Sequence, residues 1–296
     1  MNRIAIALGA SLSVVSAANA ELMTSISPLN SIVAAIRGEV ASQIVPSNVS
    51  PHDFQLRPSA ARQLQKAELL IWGGAQLEPD LAPVIENLAR VVTKLEVQLI
   101  DGVTLYHYRG KFGHTDDHGH DHHHGDDEAL DAHYWLDLGN INQIATALVA
   151  AFSAQAPEQA ANYRANADAF MAKFESFDQL NPSMRYAVSH DALQYFERSN
   201  GLSEPLLVIS QDAELGLGAS AVAELSAHVD ELDCLLAEGG RGADWTALGL
   251  ALPVIEIDPA GLSLDGVEMP DFLPTLYNQI GRAFERCGGE MSSASE

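Results

Sequence analysis

The sequence predicts an α/β protein of two lobes, each a mainly parallel sheet flanked by helices, joined by a long connecting helix. Three observations carry that expectation. Short apolar runs alternate with helical patterns along most of the chain, as in βα units. One acidic, histidine-rich stretch has almost no apolar residue and interrupts the alternation. Beyond a helical region at about 155–180 the alternation restarts. The expected organisation is a signal peptide at 1–20, an N-terminal lobe at 21–154 with a histidine-rich loop at about 113–131, the connecting helix at 155–180 and a C-terminal lobe at 181–296.

Each element has its own warrant. Leu22 to Ile26 is a strand-sized run, and "PLNSIVAAIRGEV" has helical spacing. The short run Ile44-Val45-Pro46 leads into the loop "SNVSPHDF". "RPSAARQLQKA" follows with Pro58 suited to a first helical position, where its missing N–H costs nothing. "ELLIWGG" reads as a buried strand ended by glycines, "LAPVIENLARVV" as a helix and "KLEVQLI" as a strand. "NINQIATALVAAFSAQ" is helical, and so is the stretch in which Tyr163, Ala167, Phe170, Phe174 and Phe177 recur on one helical face. That stripe reads as core packing. In the second half, "RYAVS", "PLLVI", "CLLAE" and "PVIEI" read as strands. "DALQYFERSN", with Gly201 as a C-cap, and "GASAVAELSAHVDEL" read as helices, and a long helix starts near Asp271.

Composition narrows the functions. Arg3 precedes an apolar small-residue run, and Ala18-Asn19-Ala20 has the form of a signal-peptidase site. No cysteine follows, so an exported, soluble, unlipidated protein starting at Glu21 is expected. The net charge of −24 argues against nucleic acid or an anionic membrane as partner. The two cysteines, Cys234 and Cys287, read as one disulfide in an oxidising compartment, with two separate buried thiols as the alternative.

The chemistry-bearing residues are histidines. Seven of the eleven fall within residues 113–135. His114, His118, His120, His122, His123 and His124 sit among aspartates in the expected loop, whereas His133 stands apart beside Tyr134 and Trp135. His52, His133 and His190, with Asp258, lie near predicted strand ends, where ligands of open α/β sheets gather. Three imidazoles and a carboxylate suit Zn(II) better than calcium or magnesium. The intervening gaps of 80, 56 and 67 residues match no local metal motif, so spacing alone leaves ordinary hydrogen-bonded histidines open.

The blocks "SPHDFQLRPSAARQLQKAELLIWGG", "HYWLDL", "VSHDALQYFERSNGL", "CLLAEGG" and "IEIDPAG", in that order, resemble the ZnuA-type zinc-binding periplasmic components of ABC importers. The resemblance covers essentially the whole mature length. It implies high-affinity capture of Zn(II) outside the inner membrane and delivery to a membrane permease by a monomeric, non-enzymatic protein. It implies His52, His133, His190 and Asp258 as ligands, two from each lobe. It also implies Glu238 as a hydrogen-bond partner near the cleft, a Cys234–Cys287 disulfide, and the loop histidines as accessory zinc binders. Some relatives carry glutamate just before the first histidine, where this chain has Pro51, so Asp258 or a water must complete the shell. Asp53 and Asp191 read as caps or turn residues. Because imidazole ligates only when deprotonated, binding is expected to weaken as pH falls through about 6.5.

Three alternatives remain at this point. One is a Mn(II)- or Fe(II)-binding member of the same family. Another is a secreted zinc hydrolase with Glu238 as base, although the sequence has neither H-E-x-x-H nor G-x-S-x-G. The third is a metal-buffering surface protein without a permease.

Overall fold

A computed structural model describes residues 21–51, 54, 56–87, 92–109, 129–210, 219–239, 245 and 249–289. The signal-peptide reading, His52, Asp53 and the six loop histidines lie outside the described residues.

The first lobe runs β1 (Leu22–Thr24), α1 (Ser27–Arg37), β2 (Ser42–Gln43), α2 (Pro58–Leu64), β3 (Leu69–Trp72), α3 (Ala82–Asn87) and β4 (Thr93–Glu96). The strands pair in parallel in the order β2-β1-β3-β4. Helices α4 (Leu138–Gln155) and α5 (Ala160–Met171) follow. The second lobe comprises β5 (Tyr186–Val188), α6 (Gln194–Ser199), β6 (Leu207–Val208), α7 (Ala219–His228), β7 (Cys234–Glu238), β8 (Val254–Ile257) and α8 (Met269–Cys287). Its order, β6-β5-β7-β8, repeats that of the first, again all parallel. In both sheets the chain crosses one way after the first strand and the other way after the third. The crevice where crossovers diverge therefore lies between β1 and β3, and between β5 and β7.

The apolar runs form these strands because both faces are covered: β1, β3 and β5 are buried throughout. Helix α1 carries Pro28 in its first turn, stops at Gly38 in the left-handed region (φ 80°), and buries most of its length. Helix α8 crosses back from the second lobe to pack on α1, and Leu273 N donates to Ser31 Oγ at 3.0 Å. One core cluster accordingly runs through both lobes. The Cys234–Cys287 disulfide joins the start of β7 to the end of α8, with 5.4 Å between the Cα atoms.

Several elements differ from the sequence reading. The helical stretch expected at 155–180 is a 3-10 turn, Pro157–Gln159, followed by α5, which ends at Met171. Phe174 and Phe177 lie past that end but still pack into the core. A Cβ on Gly281 of α8 would overlap the Phe177 ring, so that glycine is the socket for the aromatic. The strand read in "KLEVQLI" stops at Glu96 and becomes a 3-10 turn, Val97–Leu99. Helix α6 starts at Gln194 rather than Asp191, because Asp191 is drawn off the helix by partners described below. The loop expected to run to 131 is already held at its far end. Tyr108 N donates to Ala129 O, Asp131 N donates to Tyr106 O, and Asp131 is fully buried. Among the described residues no helix is long and apolar enough to cross a membrane.

Candidate metal centre

Strand β5 ends at Val188, and the chain turns through Ser189 to His190, at the crevice of the second sheet. Glu238, the last residue of β7, sits across that crevice. Its Oε2 lies 2.7 Å from His190 Nδ1, and its amide donates to Ser189 Oγ at 2.8 Å. His190 is 2% exposed. Strand pairing thus places the histidine and its carboxylate, and the fold needs no local motif to bring them together.

His133 arrives from the first half of the chain, on the residue before the 3-10 turn Tyr134–Leu136. Asp131 Oδ1 accepts from the His133 amide at 2.9 Å and lies 2.7 Å from its Nδ1. Gln194 Nε2 of α6 donates to Asp131 Oδ2 at 2.7 Å, and Tyr195 Oη donates to Asp131 O at 3.1 Å. Burial pushes the Asp131 carboxyl up, but His133 and the hydrogen bonds from His133 and Gln194 outweigh it and hold it below the usual range. An ionised carboxylate at Nδ1 takes the N–H of a neutral imidazole. The lone pair then sits on Nε2, the tautomer a metal ion requires. Glu238 Oε2 holds the corresponding place at Nδ1 of His190.

The two rings meet. Their centres are 5.1 Å apart, with planes at 75°. Two imidazoles bound to one tetrahedral zinc at about 2.0–2.1 Å have ring centres about 5 Å apart. Asp258 follows β8, and Trp135 Nε1 donates to Pro259 O at 3.0 Å, which lays the Asp258 loop against the turn after His133. The Asp258 carboxylate also serves its own turn, accepting from Leu262 N at 2.9 Å and from Ser263 N and Oγ at 2.6 Å each. A carboxylate has lone-pair sites beyond these three hydrogen bonds. Among the described residues no cluster of three histidine, cysteine or acidic side chains forms a complete metal site.

Four features of the site were not legible in the sequence. Asp131 was assigned to the loop, although its position two residues before His133 is the local signal for a carboxylate on that ring. Gln194 carried no signal, because its role depends on the lobes meeting. Asp191, read as a cap or turn residue, pairs with Arg109, whose Nε donates to Asp191 Oδ1 at 2.7 Å and whose Nη1 donates to Glu197 Oε2 at 2.5 Å. The Arg109 amide also donates to Asp191 Oδ2 at 2.9 Å. All three residues are buried, and the cluster joins the stem of the histidine-rich stretch to the turn bearing His190. The fourth is Glu78, in the turn after β3.

A profile of the family described as zinc-uptake complex component A, periplasmic, matches residues 22–237. The chain is 30% identical to the high-affinity zinc uptake system protein ZnuA of Yersinia pestis, over 88% of this chain and 90% of that protein. The chain belongs to this family. The protein of the same name from Haemophilus ducreyi is 29% identical over 92% of this chain and 96% of its own length. Among solved structures, the periplasmic zinc-binding protein TroA of Treponema pallidum superposes with a TM-score of 0.66 at 17% identity, covering 89% of this chain and 98% of that one. A cadmium-bound periplasmic metal-binding protein from Candidatus Liberibacter asiaticus gives a TM-score of 0.69 at 18% identity, covering 90% and 98%. These similarities show the two-lobed fold. The family is one of uptake components, which sets the hydrolase alternative aside.

Proposed function

We propose that the chain is the periplasmic, high-affinity Zn(II)-capturing component of an ABC-type importer, exported by a signal peptide cleaved after Ala20. The cargo ion is held by His52, His133, His190 and Asp258, at the meeting of the two lobes. Glu238 and Asp131 fix the tautomers of His190 and His133. His114, His118, His120, His122, His123 and His124 act as accessory binders that raise zinc concentration near the cleft. The protein works as a monomer and hands its ion to a membrane permease.

One observation carries the reading: two imidazoles from the two halves of the chain with ring centres 5.1 Å apart, each with Nδ1 held by a carboxylate. Imidazole-rich sites favour zinc over manganese, which binds such donors more weakly. Relatives of this fold have been solved with manganese and cadmium, so the metal is the point to test. Metal-stripped mature protein titrated with Zn(II) in the presence of excess Mn(II) should show one tight site that manganese does not compete away. Displacement of zinc by equimolar manganese would move the assignment to manganese uptake.

A further inference from the structure

The crevice of the first sheet holds a carboxyl group that metal capture, as described so far, does not use. Ser25 follows β1 as Ser189 follows β5, and Glu78 lies in the turn after β3, five residues beyond Gly73, the position in register with Glu238. Ser25 Oγ donates to Glu78 Oε1 at 2.6 Å, and Gly73 N donates to the same oxygen at 3.1 Å. The turn is built around this carboxyl: a Cβ on Gly73 would stand 3.1 Å from Glu78 Oε1 and 3.0 Å from Leu77 Cβ. Glu78 Oε2 is closed off from solvent and accepts no hydrogen bond.

Glu78 borders a cavity of about 120 Å³ whose wall is mostly apolar and includes Pro51, Phe54 and Ala132. Those residues flank His52 on both sides and precede His133, so the cavity lies against two ligand-bearing segments. The other charged group on its wall is Asp80, of the same turn; no lysine, arginine or histidine is among the described lining residues. From the turn after His133, the Tyr134 phenol lies within the field of Glu78, and burial and that field both push it up and keep it neutral. Burial outweighs the hydrogen bonds from Ser25 and Gly73 and pushes Glu78 up to about 7.

We propose that Glu78 is a proton-releasing group of metal capture, protonated in the metal-free protein and ionised when a divalent cation occupies the site of His133 and His190. The inference rests on the metal site proposed above. The Glu78 O–H bond breaks, the electron pair stays on the carboxylate, and the proton passes to solvent. A nearby cation favours the charged form of a buried acid, and the coupling is reciprocal, so a proton on Glu78 weakens metal binding. Zinc binding and protonation of Glu78 then oppose each other, and the protons released per ion depend on pH.

The test is calorimetric titration with Zn(II) in buffers of different ionisation enthalpy, which counts protons released per ion. A coupling of one pKa unit corresponds to tenfold in affinity. At pH 7 the wild-type protein should release about 0.4 proton more than Glu78→Gln. The variant should bind one ion about tenfold more weakly at pH 8, with a flatter pH dependence. Equal proton counts in the two proteins would overturn the proposal. The second measurement needs no variant: the assigned side-chain carboxyl carbon of Glu78 in 13C-labelled wild-type protein should titrate near neutral pH and move to its ionised position on zinc addition. A Glu78 resonance already ionised at pH 6 without metal would also overturn it. Failure of the metal-site reading looks different, as tight binding that survives His133→Ala combined with His190→Ala.

Discussion

The imidazoles of His133 and His190 face each other with ring centres 5.1 Å apart, although 56 residues separate them. Each is anchored through Nδ1 at 2.7 Å, His133 by a carboxylate of its own segment and His190 by one across the sheet crevice. The rings can therefore turn little on metal arrival. Metal-ligand partners held this way are worth about 10–100-fold in affinity. Asp131→Asn and Glu238→Gln should each weaken zinc binding by about that factor while leaving one ion per chain. Titration calorimetry checks this, and an unchanged dissociation constant in both variants would remove the carboxylates from the account.

Arg109 pairs with two buried acids, Asp191 and Glu197. Removing one partner of a buried ion pair leaves the other charge uncompensated, at a cost of about 3–5 kcal/mol. Arg109→Ala should lower unfolding stability by that amount in urea. Arg109→Lys should recover only part of it, because an ammonium cannot supply the planar fork that meets both carboxylates.

Much of this was legible in the sequence. Runs such as "LLIW" and "CLLA" are apolar because parallel strands bury both faces, so the βα rhythm is legible in the pattern, but β2 is the polar pair Ser42–Gln43, just before the apolar run at 44–46. The placement of His190 at a strand end was likewise readable. What could not be read depends on contacts between distant segments. Asp191 reads as a cap or turn residue in the sequence, and what stays hidden there is that its carboxylate and backbone are claimed by Arg109 and by Ser210 O, to which its amide donates at 3.0 Å. Asp131 looked solvated by the company it keeps, yet three protein groups bury it. Phe174 and Phe177 had helical spacing, but their packing holds on a turn that the helix does not reach.

Glu78 has a stability signature independent of metal. Its carboxyl is raised from 4.5 to about 7, so the folded protein holds the proton more tightly than the unfolded chain. Its contribution is fully present below about pH 4.5 and is lost as pH rises through about 7, a change of about 3 kcal/mol. Asp131 has the opposite sign, since its lowered value contributes stability that is lost on acidification. Comparing wild type with Glu78→Gln isolates the first effect. Between pH 4.5 and pH 8 the wild type should lose about 3 kcal/mol relative to the variant in metal-free urea titrations. Parallel pH profiles would contradict the burial of this acid.

The Cys234–Cys287 disulfide closes a separation of 53 residues, for which the chain-entropy model gives about 4 kcal/mol. The bond ties β7, whose far end carries Glu238, to α8. Cys234→Ser with Cys287→Ser should lower stability by about 4 kcal/mol in metal-free protein. Saturating zinc should recover part of the loss, because a ligand that binds only the folded state stabilises it. Guanidinium unfolding with and without zinc measures both effects.

The central claim is that one ion binds His133 and His190 together. Crystals of the mature protein grown with one equivalent of zinc, measured at the zinc absorption edge, test it directly. The account predicts a single strong anomalous peak about 2.0–2.1 Å from Nε2 of both rings. A principal peak among His114, His118, His120, His122, His123 and His124, with none between His133 and His190, would contradict it.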